Sequence, residues 1–118
     1  MILHLVLFAL DKGLTAETAE VGSAVAATHR LRAEVPALRA WHFGQNFAVR
    51  RTAYDFAGIG LLDDEAALAA YLADPFHGSV SRMWDRVSRR VTADLHVPDG
   101  GRPDPDGLLY HLDLIKGD

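Results

Sequence analysis

The sequence predicts an α+β domain with a ferredoxin-like sheet, in the element order β-α-β-β-α-α-β and with an extra C-terminal strand. The chain has 118 residues, which fits one domain, and 49% of them are hydrophobic, which is enough to form a buried core. Short apolar segments alternate with longer segments whose apolar residues recur every three or four positions. Two β-α-β crossovers joined by a turn place the helices of such a sheet on one face.

The first element is predicted to be a strand over residues 1–10. This run is almost wholly apolar and ends at the polar turn formed by residues 11–13, as in a strand that is covered on both faces. It is too short to span a bilayer as a helix, no basic segment precedes it, and no cleavage site of small residues follows it. We therefore expect a cytoplasmic protein with no membrane partner.

A helix and two strands are predicted next. Residues 15–35 carry one apolar stripe and end before Pro36, because the residue before a proline avoids helical angles. Residues 38–47 and 54–62 are predicted as the second and third strands. Gly58 and Gly60 share one face of the third strand, where glycine marks a place of close approach and would leave room for a ligand.

In the second half of the chain, the sequence predicts two helices, a fourth strand and a tail. Acidic residues 63–65 begin a helix that stops before Pro75, and another helix follows it. Its apolar stripe comprises Phe76, Val80, Met83, Trp84, Val87 and Val91. Residues 92–97 are the fourth strand, residues 98–107 form a Pro/Gly-rich loop, and residues 108–115 alternate as a fifth strand. The domain is thus assigned to residues 1–98, and residues 99–118 to a linker and tail strand.

One face of this sheet is predicted to need a partner. The helices cover a single face, and we expect the other face, with Ile2, Val6, Phe8 and Phe56, to be apolar as well. A bare apolar face of that size is unstable in water. Its simplest cover is the same sheet of a second copy, which predicts a homodimer.

Composition excludes several classes of function. The net charge is −4 and the pI is about 5.8, which argues against nucleic acid as a partner. Cysteine is absent, so disulfides and thiolate nucleophiles are excluded. No pair of histidines or carboxylates has the spacing of metal ligands, and we expect no metal site.

Candidate catalytic residues cluster at one predicted corner. Tyr71 ends one helix and His77 begins the next, with Pro75 between them. A phenol and an imidazole aimed at one point suit proton transfer beside a carbonyl, because imidazole removes a proton near neutral pH and the phenol stabilises an enolate oxygen. His4 adds an imidazole to an apolar strand, where it must find hydrogen-bond partners. The spacing alone also allows Tyr71 to be a core residue and His77 to border its helix.

These segments resemble the stress-responsive A/B barrel (Dabb) family of dimeric α+β barrels. The resemblance covers about residues 1–98 and is carried by residues 4–8, the second strand with Gly44, residues 54–55 and residues 68–77. It implies a homodimer whose two sheets close into a dimeric α/β barrel.

The resemblance extends to polyketide cyclases of the olivetolic acid cyclase type, which perform an intramolecular aldol condensation without a cofactor. It implies that His77 is the general base, that Tyr71 holds the oxyanion and that His4 is a pocket group. The sequence departs from that type at Phe56 and Asp74, where histidines are expected, and this indicates a different substrate.

Three functions therefore remain open from the sequence. The first is a cofactor-independent cyclase or aldol-type enzyme acting on a hydrophobic carbonyl substrate. Its pocket would be lined by Phe8, Trp41, Phe56, Gly58 and Gly60 in addition to His4. The second is a non-catalytic, stress-linked or ligand-binding dimer, and the third is a cofactorless, quinone-forming monooxygenase. The sequence also leaves open whether the arginines of residues 50–51 and 82–90 recruit the phosphate of coenzyme A or of a carrier protein.

Overall fold

The computed structural model describes residues 1–97, and the predicted tail strand lies outside them. The strands are β1 (Ile2–Leu10), β2 (Ala40–Gln45), β3 (Phe56–Leu62) and β4 (Ser88–His96). The helices are α1 (Ala19–His29), α2 (Leu31–Glu34), α3 (Glu65–Ala73) and α4 (Pro75–Asp85). The order of strands and helices confirms the predicted ferredoxin-like α+β fold.

The four strands form one antiparallel sheet in the order β2-β3-β1-β4. The apolar strand β1 therefore lies in the interior of the sheet, hydrogen-bonded on both edges. His4 stands opposite Gly60 on β3 and opposite Asp94 on β4. This register places residues far apart in sequence beside the one polar side chain of β1.

The predicted first helix is divided in two. Instead of one helix over residues 15–35, α1 ends at His29 and α2 begins at Leu31. Arg30 lies between them, and its backbone N–H bonds to the carbonyls of Ala27 and Thr28, which tightens the last turn of α1. Periodicity did not show this break because Thr28, Leu31 and Val35 are all buried on one continuous stripe.

The end of α4 also differs from the prediction. The helix stops at Asp85, and β4 begins at Ser88 rather than at residue 92. Val87 is buried in the connecting turn, whereas Val91 belongs to β4 and is 48% exposed. The apolar stripe assigned to this helix was therefore too long, because its last two residues fit the helical spacing by coincidence.

The assignment of the sheet faces was wrong. Ile2, Val6, Phe8 and Phe56 were expected on the uncovered face, but all four are buried in the main core with the helices. The aliphatic side chains of Leu3, Leu5 and Leu7 face the other way and are half-buried. Both faces of β1 are apolar, so alternation alone does not tell which face the helices cover.

The face opposite the helices remains largely apolar. It carries the three leucines of β1 and, in register beside them, Val91, Ala93 and Leu95 of β4. Val91 and Leu95 are each 48% exposed. A face of this kind in contact with water favours association with another surface.

An aromatic cluster fills the layer between the sheet and the helices. Trp84 of α4 stacks on Phe8 with ring centroids 4.1 Å apart, and Phe43 stacks on Phe56 at 5.8 Å. Thr28 of α1 joins this cluster to the backbone. Its hydroxyl accepts a hydrogen bond from Nε1 of Trp84 at 2.7 Å, and its carbonyl accepts one from Nε1 of Trp41 at 3.1 Å.

Candidate functional site

The corner between α3 and α4 is built by Asp74 and Pro75. Asp74 has extended backbone angles, as expected before proline, and ends α3. Its carboxylate then accepts a hydrogen bond from the N–H of Phe76 at 2.8 Å and caps α4, while Pro75 occupies the first turn, where no donor is needed. The corner fixes Tyr71 in the last turn of α3 relative to His77 in the first turn of α4.

Three polar rings converge below this corner. The ring centroids of Tyr71 and His77 are 4.3 Å apart, and those of Tyr71 and His4 are 5.5 Å apart. Tyr71 is 1% exposed and His4 is 4% exposed, so both lie within the core layer. The structure therefore brings together the three residues that the sequence singled out, and the Tyr71 ring contacts both imidazoles.

His4 is held by a carboxylate. Its Nδ1 lies 2.6 Å from Oδ1 of Asp94, its register partner on β4. The carboxylate fixes the orientation of the imidazole and leaves its other nitrogen for a second interaction. Such a pair satisfies the hydrogen-bonding requirement of the buried ring.

Burial shifts the pKa values of Tyr71 and His77 in opposite directions. It raises the pKa of Tyr71 above its ordinary value, and the nearby negative charge of Asp94 raises it further. Tyr71 thus keeps its proton near neutral pH. Burial also lowers the pKa of His77 from its ordinary 6.5, and the proximity of His4 adds to that effect. The Leu72 carbonyl and Asp74 oppose the shift without cancelling it.

His77 has an unused hydrogen-bonding atom. Its Nδ1 is buried and has no hydrogen-bond partner among residues 1–97. Buried polar atoms of native proteins are nearly always paired, so this nitrogen is available to a water molecule or a ligand. With its pKa lowered, this imidazole is neutral at pH 7 and able to accept a proton.

The three rings line a cavity of about 120 Å³ between the sheet and the helices. The rest of its wall is largely apolar and includes Val6, Phe8, Leu31, Trp41, Val80 and Trp84. Leu72, Arg90 and Thr92 also line it and are exposed, so they mark the side where it meets solvent. An engineered cavity of about 150 Å³ admits benzene, which makes this one suitable for a compact molecule.

The structure does not place Phe56, Gly58 and Gly60 at the cavity wall. Phe56 stacks within the aromatic cluster, 5.8 Å from Phe43. The indole of Trp41 covers both glycines: a Cβ on Gly58 would lie 2.8 Å from Cζ2 of Trp41. The expected room for a ligand above the glycines is thus occupied by a side chain of the neighbouring strand.

The sequence did not reveal Asp94 or Thr28 as site residues, and it placed Arg90 on a helix face, whereas the structure places it in β4 beside the cavity. Asp94 could have been found from the antiparallel register of β1 with β4, which sets it opposite His4. Arg90 borders the cavity but is bound to Oδ1 of Asp85 at 2.8 Å and to the Ser81 carbonyl at 3.2 Å. In the sequence, Thr28 is an ordinary member of the apolar stripe of a helix. No sequence signal reveals the hydrogen bonds that it accepts from two tryptophans.

The described residues offer neither a metal site nor a membrane span. Within residues 1–97, no group of three or more His, Cys, Asp or Glu side chains could hold a metal ion. No helix in that part of the chain is long and apolar enough to cross a bilayer.

Comparison with known proteins identifies one family. The model of the stress responsive A/B barrel domain (Dabb) matches residues 2–97. An uncharacterized protein of Streptomyces coelicolor is 37% identical over 94 residues, which cover 80% of this chain and 97% of the relative.

Solved structures share the fold. A dimeric ferredoxin-like protein of unknown function from Thermobifida fusca is 27% identical, with a TM-score of 0.71 over 81% of this chain and 90% of that one. Hydroxynitrile lyase from Passiflora edulis has a TM-score of 0.69 at 13% identity, over 86% of this chain and 96% of that one. SnoaB, a cofactor-independent oxygenase from Streptomyces nogalater, gives 0.62 at 17% identity, covering 83% and 93%. At 13% and 17% identity, the likeness to these two enzymes shows a shared fold and does not indicate which reaction this chain catalyses.

The pKa of His77 provides a test of the site's electrostatics. We expect its imidazole to titrate below 6.5 in an NMR pH titration, and His4→Gln to raise that midpoint because the neighbouring imidazole disfavours a second positive charge. The unfolded chain binds this proton at a higher pH than the folded one does, so His77 makes the protein less stable as the pH falls below 6.5. A His77 midpoint above 6.5, or one that does not move in His4→Gln, would contradict this description.

Proposed function

This chain belongs to the stress-responsive A/B barrel domain (Dabb) family, and from that premise we propose that it is a cofactor-independent enzyme performing acid–base chemistry on a small carbonyl compound. One observation carries the proposal. The imidazole of His77 is half-buried, with a buried Nδ1 that has no hydrogen-bond partner among residues 1–97, and it lies against the phenol of Tyr71 in a largely apolar cavity. This arrangement matches the needs of proton abstraction beside a carbonyl group.

The proposed roles follow from the protonation states. Neutral His77 removes a proton from the carbon next to the carbonyl group, and the electron pair of that C–H bond moves toward the carbonyl oxygen. A phenol is protonated near neutral pH, and the burial of Tyr71 favours that state further. Tyr71 therefore donates a hydrogen bond to the developing enolate oxygen. His4, fixed by Asp94, contacts the substrate through its other nitrogen.

An aldol-type step is the finer form of this proposal. The enolate carbon attacks a second carbonyl group, a carbon–carbon bond forms, and protonated His77 returns its proton to the new alkoxide. The same groups catalyse the reverse cleavage by microscopic reversibility. Cyclisation of a poly-ketone, as in the olivetolic acid cyclase type, is the intramolecular version of this step.

Cavity size bears on the choice of substrate. Pockets for drug-sized ligands enclose about 300–1,000 Å³, whereas this one encloses about 120 Å³. A compact carbonyl compound fits inside it, and a longer one would place only its reactive end there and extend past Leu72 and Arg90. The anthrone-like tricyclic substrate of a quinone-forming monooxygenase would need a larger space, which makes that alternative less suitable.

We further infer that the chain acts as a homodimer through the open face of its sheet. That face carries Val91 and Leu95, each half exposed in the single chain. The Thermobifida fusca structure, which shares this fold, is described as dimeric. Pairing the two apolar faces removes both from water and closes the two sheets into a barrel.

Hydrogen–deuterium exchange tests the catalytic proposal without knowledge of the natural substrate. With 2-butanone in D₂O, we expect the protein to accelerate exchange at the carbons beside the carbonyl, followed by NMR. His77→Gln should slow this exchange by roughly 10²–10⁴-fold, because the base is removed. Tyr71→Phe should slow it by roughly 10²–10³-fold, because the enolate loses its donor.

His96→Gln is the matched control for this experiment, since the His96 side chain is 76% exposed and lies outside the cavity wall. It should leave exchange unchanged. Equal exchange rates for wild type and His77→Gln would refute the catalytic proposal. If the ketone binds but is not exchanged, the non-catalytic, ligand-binding alternative is favoured.

Dimer formation is tested by placing a charge on the open face. Val91→Glu costs little in an isolated chain, because the side chain is already half exposed, but it would bury a carboxylate in the dimer. We expect Val91→Glu to be monomeric in light scattering at concentrations where wild type is dimeric. Ala69→Glu, on the exposed surface of α3, should remain dimeric. A dimeric Val91→Glu would exclude this face as the interface.

A further inference from the structure

The space above the two glycines of β3 is the feature that the proposed function leaves unused. Gly58 and Gly60 face the helices, in line with the buried side chains of Phe56 and Leu62. A strand loses stability at each glycine, and two of them on one buried face need a reason. The reason is the indole of Trp41, which lies where their side chains would be.

The fit between the indole and the glycines is close. A Cβ on Gly58 would meet Cζ2 of Trp41 at 2.8 Å and Cη2 at a still shorter distance. A Cβ on Gly60 would lie 3.3 Å from Cε3 of the same ring and 3.0 Å from Cδ1 of Leu38. The groove over β3 therefore exists because these two residues lack side chains, and one large ring fills it.

Trp41 is held in this groove from two sides. Its Nε1 donates to the Thr28 carbonyl at 3.1 Å, and its ring lies parallel to that of Phe43 with centroids 6.3 Å apart. The same indole forms part of the cavity wall, as Thr28 does. The groove and the cavity are thus separated by one side chain, which is fixed by a hydrogen bond.

We propose that Trp41 sets the depth of the cavity and restricts it to compact carbonyl compounds, while the groove over Gly58 and Gly60 would take an unbranched alkyl chain if the indole were removed. This inference rests on the proposed function for the nature of the substrate, but its geometric part concerns binding alone. Trp41 acts as a specificity-determining residue and takes no part in proton transfer.

A series of methyl ketones, from 2-butanone to 2-decanone, tests the proposal with the whole 118-residue chain. Dissociation constants are measured by isothermal titration for wild type and for Trp41→Ala. Each methylene that enters an apolar site contributes about 0.8 kcal/mol, equivalent to roughly a fourfold gain in affinity. Wild type should gain affinity only over the first members, since about 120 Å³ is soon filled. Trp41→Ala should continue to gain about fourfold per methylene over several longer members.

Two further variants control for misfolding of Trp41→Ala and for a general loosening of the core. Trp41→Leu keeps an apolar side chain in the core and should extend the limit by fewer methylenes than Trp41→Ala, so the test survives if the alanine variant fails to fold. Phe43→Leu removes the ring that stacks beside Trp41 but keeps the indole itself, and it should retain the wild-type limit.

The outcomes separate the depth proposal from the catalytic one. An unchanged chain-length limit in both Trp41 variants would overturn the role of Trp41, as would a wild type that already gains affinity up to 2-decanone. The absence of measurable binding by any ketone to either Trp41 variant would overturn it as well. His77→Gln should slow exchange at the substrate carbon, as stated above, yet leave the chain-length limit intact, so failure of catalysis alone does not affect this inference.

Discussion

The buried imidazole of His4 is the constraint around which the site is arranged. Strand β1 lies in the interior of the sheet and carries this one polar ring into an otherwise apolar layer, where it is 4% exposed. An unpaired polar group there would cost about 1–3 kcal/mol, so a partner is required. Asp94 supplies it from the neighbouring strand at 2.6 Å. Burial raises the pKa of Tyr71 and this carboxylate raises it further, so one hydrogen-bonded pair connects the sheet to the corner between α3 and α4.

The corner above this pair depends on local chemistry that the sequence displays. Asp74 ends one helix and caps the next, and Pro75 prevents the two from merging. Tyr71 and His77 therefore approach each other through a turn of a few residues, with little dependence on distant packing. Local signals of this kind are the reason why the sequence could place a phenol and an imidazole at one corner, whereas their ring contact came only from the structure.

The parts of the site that could not be predicted depend on long-range pairing. The inward and outward faces of β1 were exchanged, because Leu3, Leu5 and Leu7 on one side look as suited to burial as Ile2 and Val6 on the other. The roles of Gly58 and Gly60 were misjudged for a similar reason. Glycine indicates close approach, but only the pairing of β2 with β3 shows that the approaching group is Trp41 of the chain itself. The tail strand lies outside the described residues and stays a prediction.

The central claim is that the cavity is complementary to an enolate, and enzymes bind the charged species along the reaction path more tightly than the substrate. The most direct measurement compares the dissociation constant of acetohydroxamate, a planar enolate mimic, with that of acetone at pH 7.5. We expect the mimic to bind at least about 100-fold more tightly, and Tyr71→Phe to remove most of this preference. Equal affinities for the two compounds in wild type would contradict it.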